Sequence, residues 1–215
     1  MLANDSRAST EVPRAIDRFV PDPLVRECHE TLVHAPASVV YDVACTLDVM
    51  GHPVVQAIIR MRERLMGAKI SAPRPSRGTL AETMALGWRV LAERPGRELV
   101  MGAATQPWLA DVKFEPVAPE SFAACAEPDR VKIVWTLEAE PLSPSLTRFR
   151  SETRVVATDE TARKKFLRYW RWARFGIIGI RLLMLPAVRR EAERRAILAQ
   201  MERLRRSSPH AVTPH

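Results

Sequence analysis

The sequence predicts an α+β domain in which a curved antiparallel sheet wraps around one long C-terminal helix, with two helices after the first strand. Three observations carry that expectation. The stretch from Thr158 to Arg206 opens with Thr158-Asp159-Glu160-Thr161, side chains that can accept from the free N–H groups of a first helical turn. It then places Ala162, Phe166, Trp170, Ala173, Ile177, Ile180 and Met184 at spacings of three and four, which is one apolar stripe of a helix. The two strands before it, Arg130 to Glu140 and Thr147 to Ala157, alternate with a period of two. Their odd positions shelter Val131, Ile133, Trp135, Leu137 and Ala139 in one, and Thr147, Phe149, Ser151, Thr153, Val155 and Ala157 in the other. An antiparallel sheet with one apolar face must cover it, and the final helix is the element long enough to do so.

Residues 1–23 are polar, contain Pro13, Pro21 and Pro23, and show no period, so they are expected to form a loose arm. Val25 to His34 interleaves β-branched and polar residues as a first strand. Ala35-Pro36-Ala37-Ser38 starts a helix whose apolar face is Val39, Val40, Val43 and Leu47, with Pro36 where a missing N–H costs nothing. A second helix with Val54, Ile58, Met61 and Leu65 stops at Gly67. Ser71 to Gly78 reads as a loop. Leu86 to Arg94 and Glu98 to Ala104 flank Pro95-Gly96 as a hairpin, with Trp88, Val90 and Ala92 expected on one face and Leu99, Met101 and Ala103 on one face of the partner. Gly102 reads as a packing glycine. Asp111 to Val117 is a weaker strand and Pro119 to Ala124 a helical turn or two. Gly176-Ile177-Ile178-Gly179 reads as a locally weakened stretch of the long helix, and residues 207–215 as a disordered tail.

The 215 residues, 47 % of them apolar, suffice for one core with tails. The net charge of +8 is uneven: residues 160–206 carry 14 Lys and Arg against 4 Asp and Glu, which leaves the remainder slightly acidic. A basic excess of this kind suits an anionic membrane surface or an acidic partner. Cys28, Cys45 and Cys125 are odd in number and lack metal-like spacing, and the N-terminus lacks the regions of a signal peptide, so a cytoplasmic location is expected, with the membrane periphery as the alternative. Phe175 to Val188 is too short to span a bilayer and contains Arg181 and Pro186, but it is flanked by arginines and suits an interfacial helix. The run Arg163 to Arg174 mixes basic and aromatic residues. Because Trp170 belongs to the apolar stripe, an amphipathic helix accounts for much of that mixture and nucleic acid is disfavoured. Trp172 lies off the stripe.

Taken with this order of elements, the run His29-Glu30-Thr31-Leu32-Val33-His34-Ala35-Pro36-Ala37-Ser38-Val39-Val40-Tyr41-Asp42-Val43, the hairpin from Trp88 to Gly102, and the strand-into-helix stretch from Leu146 to Arg168 resemble the helix-grip superfamily (SRPBCC). That superfamily includes START lipid-transfer domains, polyketide cyclases and aromatases, and the plant pathogenesis-related allergens. The resemblance covers about residues 25 to 185. It implies a domain over 24–185 and a cavity between sheet and C-terminal helix; the second helical segment near Val54 to Met66 and a basic helical extension over 186–206, outside the grip, depart from a minimal member. The lining it implies is Trp88, Val90, Leu99, Met101, Trp135, Leu137, Phe149, Phe166, Trp170 and Ile177, a set suited to an apolar or aromatic ligand. Ser151 and Thr153 join it as the polar members, each bonding either to backbone or to a ligand.

The sequence has no phosphate loop, His-Glu-x-x-His helix, nucleophile elbow or Cys-x-x-Cys, so neither a nucleotide cofactor nor a metal is expected. The expected function is binding of a hydrophobic small molecule, lipid or polyketide-like, without assigned catalytic residues. Two alternatives stand beside it: a cyclase or aromatase-type enzyme drawing on His29, Ser151 and Thr153, and a peripheral membrane protein inserting Phe175 to Leu185.

Overall fold

The structure, a computed structural model, describes residues 14–49, 51–68 and 78–207. The elements are β1 (Val25–Val33), α1 (Ala37–Thr46), α2 (Pro53–Met66), α3 (Thr79–Ala85), β2 (Arg89–Arg94), β3 (Glu98–Thr105), β4 (Phe114–Glu115), α4 (Pro119–Phe122), β5 (Val131–Ser143), β6 (Leu146–Ala157) and α5 (Glu160–Ser207). All pairings are antiparallel, in the order β1-β6-β5-β3-β2, with β4 added to the end of β3. α5 lies across the inner face, with α1 beside it, and the architecture is the expected α+β helix grip. The loop read at Ser71 to Gly78 lies, except for Gly78, outside the described residues, as do most of the expected arm and the tail from 208.

Register sets which side chains share the inner face. Val25, Glu27, His29, Thr31 and Val33 pair with Val155, Thr153, Ser151, Phe149 and Thr147. The same row continues through Ile133, Trp135, Leu137 and Ala139 on β5 to Ala103, Met101 and Leu99 on β3. The odd-numbered face of the alternation is therefore the gripped face. The start of α5 is tied to the sheet as the polar opening suggested: Asp159 Oδ1 accepts from the N–H of Ala162 at 2.7 Å, and Thr158 Oγ1 donates to the Arg130 carbonyl at 2.9 Å.

Several expectations are corrected by packing that alternation cannot report. The even face meets water only in part: Arg26, Glu30 and Leu32 are exposed, whereas Lys132, Val134, Thr136, Glu152 and Arg154 are buried. Residues 14–20, assigned to the loose arm, fold over it, and Ile16, Phe19 and Val20 pack with Phe122 of α4 against Leu91, Val100 and Val134. A β-bulge between Val90 and Ala92 turns Ala92 and Leu91 to that outer side, away from Val90, so the expected Trp88-Val90-Ala92 face is broken after Val90. α3 was absent from the sequence reading because seven residues give too little periodicity. It is fixed instead by Thr79 Oγ1 donating to the Leu47 carbonyl at 2.6 Å and by Thr83 Oγ1 donating to that of Thr79. Gly102 is the packing glycine expected, since a Cβ there would lie 2.5 Å from Leu91 Cδ1 and 2.7 Å from Phe122 Cε2.

α5 runs 48 residues through Pro186 without a break. The boundary expected at 185 does not separate grip from extension, because Val188 and Ala192 are fully buried in the same core as Val33, Val40 and Phe149. Glu193 adds a polar tie, accepting from the N–H of His34 at 3.1 Å. Gly176 and Gly179 are a close helix contact rather than a weak stretch: Ile58 of α2 sits against both, and a Cβ on Gly176 would come within 2.9 Å of its Cγ2. At its other end α2 is tied down by Arg62, which donates to the carbonyls of Pro107 and Leu109 at 3.1 and 2.9 Å. α2 is thus strung between α5 and the loop after β3.

Candidate functional site

The gripped face carries two solid ends with a less covered stretch between them. At one end Leu99, Met101, Leu137 and Phe149 are wholly buried among α1, Met184, Leu185 and Val188. At the other Phe166 stacks on Trp170 at 5.6 Å between ring centres and packs with Val131 and Val155. Those side chains satisfy one another as core. Of the twelve residues expected to line a cavity, Trp88, Val90, Trp135, Trp170 and Ile177 keep partial exposure, and Thr153 is nearly buried. Trp135 lies between Met101 and Thr153 in register, and its ring meets Trp88 edge-on at 6.4 Å. Trp88 in turn lies 5.1 Å from Phe114. These three rings make an aromatic wall along the sheet, and Phe114 was not among the residues expected there.

The polar side chains of this face also converge. Ser151 is directly opposite His29 and Thr153 directly opposite Glu27. Ser151 Oγ donates to the Thr136 carbonyl at 2.8 Å, which commits its proton and leaves its oxygen as an acceptor. From α5, Arg181 donates through Nη1 to Ser151 Oγ and through Nη2 to Thr153 Oγ1. Loss of solvation lowers the Arg181 pKa to about 10, against small opposing contributions from Cys28 and Glu27. The guanidinium therefore remains charged at neutral pH. Among the described residues no carboxylate lies within ion-pair distance of it. Glu27 leans instead toward His29, 3.8 Å from Nε2, and that nitrogen is buried without a hydrogen-bond partner among the described residues.

Arg181 and Glu27 are the polar members that sequence reasoning missed. Arg181 sits on the flank of the apolar stripe and entered the sequence reading only as a residue unsuited to a membrane span. Glu27 carried a signal: it is two residues from His29 on the same strand, and so necessarily on the same face. His29, Ser151 and Thr153 share one face of adjacent strands.

Other chemistry is weak or elsewhere. Burial raises the Cys28 thiol and pushes Cys45 up to about 11, so neither is a thiolate at neutral pH. Among the described residues no group of three His, Cys, Asp or Glu could hold a metal ion. A surface hollow of about 280 Å³ lies between Pro36–Ser38, Pro95–Arg97 and Pro141–Pro144, and none of the twelve expected residues lines it. No helix among the described residues is long and apolar enough to cross a membrane. α5 does expose Phe175, Leu182 and, at 38 %, Trp172, which packs edge-on against Tyr169. Within the segment expected to insert, however, Met184 and Leu185 belong to the core.

No protein-family model matches the chain, and no curated protein matches it. Among solved structures it is similar to the di-domain aromatase/cyclase BexL, at 16 % identity and a TM-score of 0.34, over 79 % of this chain and 47 % of that one. It is similar to the Zhui aromatase/cyclase of a Streptomyces species at 15 % identity and a TM-score of 0.28, over 80 % and 94 % of the two chains. A conserved protein of Geobacillus kaustophilus is similar at 10 % identity and a TM-score of 0.32, over 81 % and 97 %. The chain spans about half the length of the di-domain protein.

Proposed function

We propose that the protein binds a hydrophobic small molecule on the gripped face of the sheet, between the aromatic wall and α5. The observation that carries this reading is the incomplete cover of Trp88 and Trp135, which sit between two fully buried cores on a face that the fold otherwise closes. Half-covered indoles beside an enclosed polar cluster are the composition of a ligand site, mostly apolar with a few convergent polar groups. Displacement of water from such a surface by an apolar body contributes about 25 cal/mol per Å². Native mass spectrometry and solvent extraction of the purified protein test the reading. A bound or readily taken-up apolar compound is expected, with tryptophan emission shifting on uptake. A chain that takes up neither aliphatic nor aromatic compounds refutes it.

A cyclase-type enzyme is the second reading, favoured by the meeting of His29, Ser151 and Thr153 on one face with Glu27 beside them. There a bound chain would be held near an imidazole whose Nε2 is uncommitted to any hydrogen bond among the described residues.

A further inference from the structure

The outer and inner faces of the sheet treat arginine in opposite ways. On the outer face, Arg14 meets Glu152 at 2.5 Å and Glu138 at 3.2 Å, and Arg154 meets Glu152 and Asp17 each at 2.7 Å. Each enclosed arginine there has two carboxylates, while the buried Lys132 ammonium donates to the backbone carbonyls of Phe122 and Ala123. On the inner face Arg181 has two hydroxyls, which orient a guanidinium but do not neutralise it. A half-buried charge without a counter-charge is costly, and an arginine carries five N–H donors, of which two are used here.

We infer that Arg181, held in place by Ser151 and Thr153, is the anchor for the carboxylate of a hydrophobic acid whose apolar body lies along Trp135, Trp88 and Phe114. This rests on the reading that the gripped face binds a hydrophobic ligand, and adds the chemical class of that ligand. The geometry fixes the layout. Ser151 Oγ donates its proton to the Thr136 carbonyl, and Thr153 lies next to Trp135 in register, so the anion sits where the aromatic wall begins. From Thr153 across β5 and β3 to β2 is three strand spacings, about 14 Å at ~4.8 Å each. That is the reach of a medium-chain or multi-ring acid. A single planar guanidinium suits a monoanionic carboxylate, with which it can form paired hydrogen bonds.

The test is a matched pair, dodecanoate and dodecanol, titrated into the purified full-length protein and read by tryptophan emission and native mass spectrometry. Wild type should prefer the acid by about tenfold or more, the equivalent of one charge-assisted hydrogen bond at about 1.4 kcal/mol per tenfold. Arg181→Met should abolish the preference for the acid over the alcohol, and Arg181→Lys should keep part of it. Equal wild-type affinity for acid and alcohol overturns the anchor and leaves the hydrophobic-ligand reading standing. Binding of neither compound overturns both. Should Arg181→Met fail to fold, the wild-type pair still decides, because that comparison needs no variant.

Discussion

Replacing Glu152 by glutamine probes the charged layer on which the outer face of the sheet is built. Glu152 is fully buried in the middle of β6, and its two oxygens accept from Arg154 Nε at 2.7 Å, Arg14 Nη1 at 2.5 Å and Arg26 Nε at 2.8 Å. Burial alone would raise its pKa. The hydrogen bonds and charges of Arg154 and Arg14 outweigh that and hold it at about 2, against an ordinary value of 4.5. At ~1.4 kcal/mol per pH unit, this difference corresponds to roughly 3 kcal/mol. Removing one partner of a buried ion pair costs about 3–5 kcal/mol by an independent route, so Glu152→Gln is expected to destabilise by about 3 kcal/mol at neutral pH. The sign with pH follows from the depressed value: this stabilisation is complete above about pH 4.5 and is lost as pH falls toward 2. Glu138, raised chiefly by burial despite Arg14 and Arg150, works in the opposite direction. The variant removes the first contribution and leaves the second. Urea unfolding at a series of pH values should therefore show wild type losing stability on acidification more steeply than Glu152→Gln. A neutral-pH difference under about 1 kcal/mol, or acid profiles of the same slope, would refute the reasoning.

Two further perturbations test the packing. Gly102→Ala forces a methyl group to within 2.5 Å of Leu91 Cδ1 and 2.7 Å of a buried Phe122 ring, so it should cost about 1–3 kcal/mol in urea unfolding with an unchanged denaturant slope. Val188→Ala should cost about 2 kcal/mol because Val188 is wholly buried beyond Pro186, whereas exposed Leu204→Ala should stay within about 0.5 kcal/mol. Equal effects at Val188 and Leu204 would show that the segment after Pro186 is not part of the core.

The strands and the final helix were legible because their periodicity is a direct image of which side meets the core. Val131 to Ala139 and Phe149 to Val155 alternate as the sheet requires, and the register joins them as expected. Legibility failed where a second layer covers the sheet. Arg14, Ile16 and Phe19 read as part of an irregular polar arm, yet they close the outer face by pairing charge with charge and ring with ring. The alternation of Arg148, Arg150, Glu152 and Arg154 reads as solvated because burial of such residues depends on partners far away in sequence. The bulge after Val90 leaves no mark in composition, and a three-residue separation of two glycines does not by itself show that Ile58 fills the gap. At the candidate site, register alone brings His29, Ser151 and Thr153 together, while Arg181 depends on the rotation of α5 over the sheet.

That rotation separates two roles for arginine in one fold. An apolar side chain at position 181 would leave Ser151 its backbone partner, the Thr136 carbonyl, but would take from the buried Thr153 hydroxyl the guanidinium that bonds it. Apolar cover at that point is the cheaper structural solution, because desolvating a cation is repaid by a hydroxyl less well than by a carboxylate. The outer face shows that the chain can supply carboxylates where arginines are enclosed, with Glu152 shared by the buried Arg14 and Arg154 and the exposed Arg26. Glu27 stands one strand away from Thr153 but is directed to His29. The inner face thus retains a positive charge that neither core packing nor strand pairing requires. Bonding the Ser151 and Thr153 hydroxyls accounts for a donor at position 181 but not for its charge, and a ligand carboxylate accounts for the charge.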